Sequence, residues 1–127
     1  MTRCWPPMHE LAICQALLYE VERVARVHDA GRVAAIRVRC GALAGVEPEL
    51  LHRAYEVARA GTLADDAALT IEDSPVRVYC PRCRSESSAS AQRLLCGACG
   101  EWRTEVVAGH ELLLMSVELI AAEGARS

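Results

Sequence analysis

The sequence predicts an α+β fold, in which a small three-stranded sheet carries two helices and a four-cysteine module is inserted before the last strand. Three observations carry this reading. Two segments place apolar residues at helical spacing, several shorter ones have the alternation or apolar density of strands, and two C-x2-C pairs fall just before the last strand. A chain of 127 residues, 52% of them apolar, has room for one cored domain or for one with a small appendage.

Residues 1–7 (MTRCWPP) read as an extension ended by proline. From Leu11 to His28, Ile13, Leu17, Val21 and Val24 recur at i, i+4, i+8 and i+11, with Leu18 and Ala25 widening the stripe. This is an amphipathic helix, stopped by Asp29-Ala30-Gly31. Ala34, Ile36, Val38 and Cys40 then alternate with Ala35, Arg37 and Arg39, the period of a half-buried strand. Gly41 to Val46 is a loop, and Pro48 suits the first turn of a second helix with Leu51, Ala54, Tyr55 and Ala58 on its face and Gly61 at its end. A strand is expected around Leu69–Glu72, and a further extended run, Val76–Tyr79, leads into the cysteines. Ser85–Ser90 reads as a polar loop. Glu111–Leu119 is apolar enough to be the central strand of the sheet, which makes the cysteine module an insertion in the main domain.

Composition excludes several classes. The longest apolar stretch, Leu11–Tyr19, is about half of the ~18–20 residues a spanning helix needs, so no membrane role is expected. The first seven residues hold no apolar core of a secretory signal. A net charge of −3, with all 14 cationic residues arginine, argues against a protein that coats nucleic acid. Seven cysteines without an export signal point to a reducing compartment, the cytoplasm, where clustered thiols read first as metal ligands.

Cys80-Pro81-Arg82-Cys83 and Cys96-Gly97-Ala98-Cys99 are separated by 12 residues. Two residues between thiols let both sulfurs of one turn reach a single ion, with backbone N–H groups turned toward them. Four thiolates close a tetrahedral Zn(II) site and leave no position for water, so the site is structural, a zinc ribbon. Gly97 and Gly100 supply permissive backbone for the second turn. From Val76 to Val107 there are five Arg and three Glu, and the zinc thiolate cluster adds −2, so the module is near neutral. Its only aromatics are Tyr79 and Trp102, too few for a stacking platform. A zinc-ribbon nucleic-acid or transcription accessory protein is therefore the alternative reading, not the first. Cys14 and Cys40 lack ligand spacing and read as small buried hydrophobes. His28, His52 and His110 read as surface or structural residues. No Walker loop, nucleophile–base pair or open zinc set marks an enzyme.

Met8-His9-Glu10 opens the first helix. With Gly41-Ala42-Leu43-Ala44-Gly45-Val46-Glu47-Pro48-Glu49-Leu50, the two cysteine pairs, Gly109-His110-Glu111-Leu112 and Ser116-Val117-Glu118, it resembles the HypA/HybF family of nickel-insertion accessory proteins for [NiFe]-hydrogenase maturation. The resemblance runs from Met8 to about Glu118. It implies a nickel-binding α/β domain over residues 8–78 and 109–122 and a zinc-ribbon domain over 79–108, preceded by the extension at 1–7. It also implies that His9 ligates transient Ni(II), that Glu10 acts through its backbone or as a supporting carboxylate, and that Glu47 lies near the site. In the family the Met-His-Glu segment begins the chain, and its amine is part of the site. Met8 would supply that amine if it is the true start rather than Met1. With residues 1–7 in place its nitrogen is an amide, and Cys4 becomes a candidate replacement ligand. Imidazole and backbone nitrogens suit square-planar Ni(II). Implied partners are the hydrogenase large-subunit precursor and the nickel GTPase of the pathway, with a homodimer left open.

Overall fold

In the computed structural model of the chain, residues 8–121 are described. The extension at 1–7, and with it Cys4, lies outside them. The element order is α1 (Met8–Val27), β1 (Ala30–Gly41), α2 (Pro48–Ala58), β2 (Ala68–Ser74), β3 (Arg77–Cys80), β4 (Ser85–Ser88), β5 (Glu105–Ala108) and β6 (Leu112–Ala121). Two three-stranded sheets form, ordered β2-β1-β6 and β4-β3-β5. No helix among the described residues is long and apolar enough to cross a membrane.

The chain divides into two compact units. Among the described residues, the first takes 8–38, Glu47–Ile71 and 114–121; the second takes Arg39–Val46 and Glu72–Leu113. Residues 79–108 all fall in the second unit, which also includes the loop after β1 and the segments flanking the cysteines.

In the first unit, α1 starts at Met8, three residues before the apolar stripe. Glu10 in its first turn and Arg26 in its last both favour the helix dipole. The buried face is Glu10, Cys14, Leu18, Val21 and Ala25. The stripe is thus centred one residue on from Ile13 and Leu17, which are only half-buried. α1 packs on α2, whose Leu51, Ala54 and Tyr55 are buried. Each large aliphatic buried here stabilises the fold by about 1.5–3 kcal/mol. Tyr55 keeps its hydroxyl satisfied by donating to the Ala67 carbonyl at 2.7 Å, and Arg59 donates to the same oxygen at 3.0 Å. The helix α1 ends before Asp29, which takes the left-handed conformation (φ 54°), and β1 begins directly after it at Ala30.

β1, and not the last strand, is central. It lies between β2 and β6, with Val33, Ile36, Val38 and Cys40 buried, whereas β6 is an edge strand with no fully buried residue. Apolar density over Glu111–Leu119 therefore does not mark two-sided burial. Leu113 and Ile120 remain 46% exposed.

In the second unit β3 pairs antiparallel with β4 (Val78↔Ser87) and with β5 (Val78↔Val106), with an irregularity between Arg77 and Val78. The expected polar loop at Ser85–Ser90 is therefore a strand over its first four residues. A ladder of backbone hydrogen bonds needs no apolar side chains, so exposed Ser and Glu give no sign of it. Where β1 ends, Gly41 meets Gly109: a Cβ on Gly41 would lie 2.1 Å from the Gly109 carbonyl oxygen. Gly109 itself has φ +97°, and a Cβ there would sit 2.6 Å from the Val76 Cα. The backbones approach too closely for any side chain at either position.

Candidate metal centres

Two turns of backbone build the cysteine cluster. Cys80 ends β3, and the chain turns back so that the Arg84 N–H meets the Cys80 carbonyl at 2.7 Å. The second turn repeats this, Gly100 N–H to Cys96 carbonyl at 2.9 Å. In both, the residue after the second cysteine is left-handed: Arg84 at φ 56° and Gly100 at φ 77°. One turn uses glycine there and the other holds an arginine. Gly97, expected to lend permissive backbone, does not have a positive φ. It lies against β4 instead, its N–H donating to the Ser87 hydroxyl at 2.9 Å.

Within each turn N–H groups point at sulfur: Cys83 N–H to Cys80 Sγ at 3.3 Å, and Ala98 and Cys99 N–H to Cys96 Sγ at 3.3 and 3.5 Å. The four sulfurs all lie within 4.8 Å of one another, with Cys80–Cys99 at 3.7 Å and Cys83–Cys96 at 3.9 Å. A tetrahedron with metal–sulfur bonds of ~2.3 Å has edges of about 3.8 Å, so this cluster can hold one metal ion, while a disulfide would need ~2.05 Å. Cys80 and Cys96 are buried, and Cys83 and Cys99 are exposed. The N–H groups of Cys99 and Ala98 push the Cys96 thiol down to about 6. Hydrogen bonding to Cys99, then burial and bonding to Cys96 and Cys80, push Cys83 up to about 12. Four thiols this close cannot all ionise by themselves, and a bound divalent cation supplies the charge that lets them.

The Met8-His9-Glu10 segment forms the first turn of α1, in the first unit. Met8 and His9 are exposed; Glu10 is only 5% exposed. Its carboxylate accepts the backbone N–H of Glu47 at 3.3 Å, joining the start of α1 to the start of α2. Glu47 is the N-cap of α2, extended at φ −88° and ψ 119°, and its side chain makes no capping hydrogen bond; its carbonyl starts the helix by accepting from Leu51 N–H. One turn below Glu10, Cys14 donates to the Leu51 carbonyl at 3.4 Å. Burial, and then the Glu10 charge, push this thiol up to about 11, so it is a protonated packing group at neutral pH. The structure therefore brings Glu10 and Glu47 together through backbone and carboxylate. Among the described residues the one group of three or more ligating side chains is the cysteine cluster. His28, His52 and His110 are all exposed.

Glu111, present in the sequence only as one letter of the Gly109–Leu112 motif, has a role that three dimensions reveal. Glu111 accepts from the Ser74 hydroxyl and from the Gly109 N–H, both at 2.8 Å, clamping the close backbone crossing at Gly109. Those bonds, the Ser74 one first, hold its carboxyl below the usual range.

A family model described as hydrogenase/urease nickel incorporation, metallochaperone, hypA matches residues 8–119. A curated protein of Nitrosospira multiformis called hydrogenase maturation factor HypA is 49% identical over 113 residues, 89% of this chain and 98% of its own length. The protein of the same name from Aquifex aeolicus is 38% identical over 88% of this chain and 97% of its own. Among solved structures, the solution structure of the Ni metallochaperone HypA from Helicobacter pylori superposes with a TM-score of 0.66 at 25% identity, covering 89% of this chain and 98% of that one.

Proposed function

The chain belongs to the HypA family of nickel metallochaperones for hydrogenase maturation, and from that premise we propose that it carries Ni(II) as cargo in the cytoplasm and helps insert it into the [NiFe]-hydrogenase large-subunit precursor. The observation that supports the reading most directly is the position of Met8-His9-Glu10 in the first turn of α1, with Glu10 tied to Glu47. Amides of a helix's first turn have no acceptor within the helix, so they can lose their protons to a metal without breaking a helical bond. A bare dication is disfavoured at the positive end of a helix dipole, and deprotonated amides offset that cost. His9 contributes its imidazole, and the Glu10 carboxylate, held on the Glu47 N–H, fixes the backbone that presents these nitrogens. Glu47 itself lies next to the site.

In this proposal Cys80, Cys83, Cys96 and Cys99 hold a structural Zn(II) in the 79–108 ribbon, separate in role from the nickel of the α/β domain. The nickel GTPase of the pathway is the second partner. Nickel titration by calorimetry tests the central claim. His9→Ala should lose stoichiometric Ni(II) binding while zinc content and helical circular dichroism stay as in the wild type. Affinity should also fall on acidification, because protons compete with the metal for its ligand atoms. Wild-type nickel binding by His9→Ala would place the site elsewhere.

A further inference from the structure

The second unit carries a surface that neither metal uses. Trp102 is 69% exposed, and the Arg103 guanidinium stacks on its ring at 5.0 Å. Arg82, from the first cysteine turn, and Arg103 are 73% and 76% exposed, and both face the same carboxylate, Glu101, at 3.7 and 3.9 Å. Glu101 is only 18% exposed and also accepts the Arg103 backbone N–H at 3.1 Å. Pro81, Arg82, Glu101 and Arg103 line an open cleft of about 310 Å³.

Each guanidinium has five N–H donors, and one carboxylate at these distances spends few of them. Both ion pairs are long and both guanidiniums are open to water, so either arginine can take another partner. A large aromatic left open to water beside paired arginines has the composition of an interface centre, where Trp and Arg are enriched.

We propose that Arg82, Trp102 and Arg103 form a docking surface for an acidic peptide segment of a partner protein, with a carboxylate held between the guanidiniums and a neighbouring aliphatic side chain laid on Trp102 and Pro81. Charge decides the occupant. The chain as a whole carries −3, and residues 76–107, with five Arg, three Glu and −2 from the zinc thiolates, are near neutral, so the positive charge here is local to Arg82 and Arg103. A long polyanion gains its affinity from many phosphate contacts and would meet repulsion beyond this pair. A short carboxylate-bearing segment needs only the pair. The surface involves none of the proposed nickel-site residues, so its failure and the failure of the nickel reading are separable.

The test uses the zinc-loaded full chain with Trp5→Phe, so that Trp102 is the one indole reporter. The probes are a synthetic decapeptide of alternating Glu and Leu, the same peptide with Gln for Glu, and a thymidine decanucleotide. The expected result is a blue shift of Trp102 emission on adding the Glu-Leu peptide, with at least ~10-fold weaker binding of the Gln-Leu peptide and of the Arg103→Glu chain. Arg103→Lys should keep part of the affinity, and zinc content should be unchanged in both variants. Equal binding of the two peptides, no response to the Glu-Leu peptide, or tighter binding of the oligonucleotide would each overturn the proposal.

Discussion

The Glu10 carboxylate accepts the backbone N–H of Glu47 at 3.3 Å, so one buried acidic side chain joins the starts of both helices. Glu10→Ala leaves that N–H without its acceptor, at an expected cost of about 1–3 kcal/mol. Glu10→Gln retains an acceptor oxygen and should lose less. Denaturant unfolding of the two variants against wild type measures both, and equal stability of Glu10→Ala would show the contact to be without weight.

Cutting the chain to begin at Met8 replaces an amide by an amine, whose ordinary pKa is ~7.7–8.0. An amine yields its proton to Ni(II) far more readily. The shortened protein should bind nickel at least ~10-fold more tightly, a difference of ~1.4 kcal/mol. Its spectrum should be the yellow one of a square-planar nitrogen site. Calorimetry at one pH decides, and if the affinities are equal, Cys4→Ser in the full chain tests whether the extension supplies a ligand.

Cys83→Ala should release the zinc and unfold the strands β3, β4 and β5, since ion binding supplies much of the folding energy of so small a module. The helical signal of α1 and α2 should persist, because their buried residues form a core of their own. Metal analysis and circular dichroism report the two effects separately. Full zinc content in Cys83→Ala would contradict the assignment.

Arg84 and Gly100 occupy equivalent left-handed positions, and a side chain pays there for what glycine adopts freely, about 1–2 kcal/mol. Gly100→Ala should therefore destabilise, by that cost less the ~0.4–1 kcal/mol gained by restricting the unfolded chain. Arg84→Gly should stabilise the zinc-loaded chain, by less than the full cost because glycine also loosens the unfolded chain by about 0.4–1 kcal/mol. Thermal melts of the pair check the opposite signs.

Glu111 has its carboxyl lowered by Ser74 first and then by backbone N–H groups. A group whose folded pKa is lowered stabilises fully above its unfolded value, ~4.3 for Glu, and loses that contribution as pH falls through the folded value. Ser74→Ala should be less stable than wild type at neutral pH. The gap should narrow once pH drops below ~4. A gap that stays constant through the acid range would show that the Ser74–Glu111 bond does not favour the ionised form.

What the sequence by itself determined is what local spacing encodes. The two C-x2-C turns are each complete within a few residues, so ligand geometry is written into the spacing, and the sulfurs do come together in three dimensions. The helices follow from apolar periodicity, and Met8-His9-Glu10 marks the start of the first. Only the tertiary structure decided what backbone does across long separations. That β1 is central and β6 is an edge depends on which strand is hydrogen-bonded on both sides, and backbone groups carry no side-chain signature. The same holds for β4, hidden in a run of serines, and for the crossing of Gly41 and Gly109. Glu10 has its partner 37 residues away, and that partner is a main-chain N–H, identical in every residue but proline.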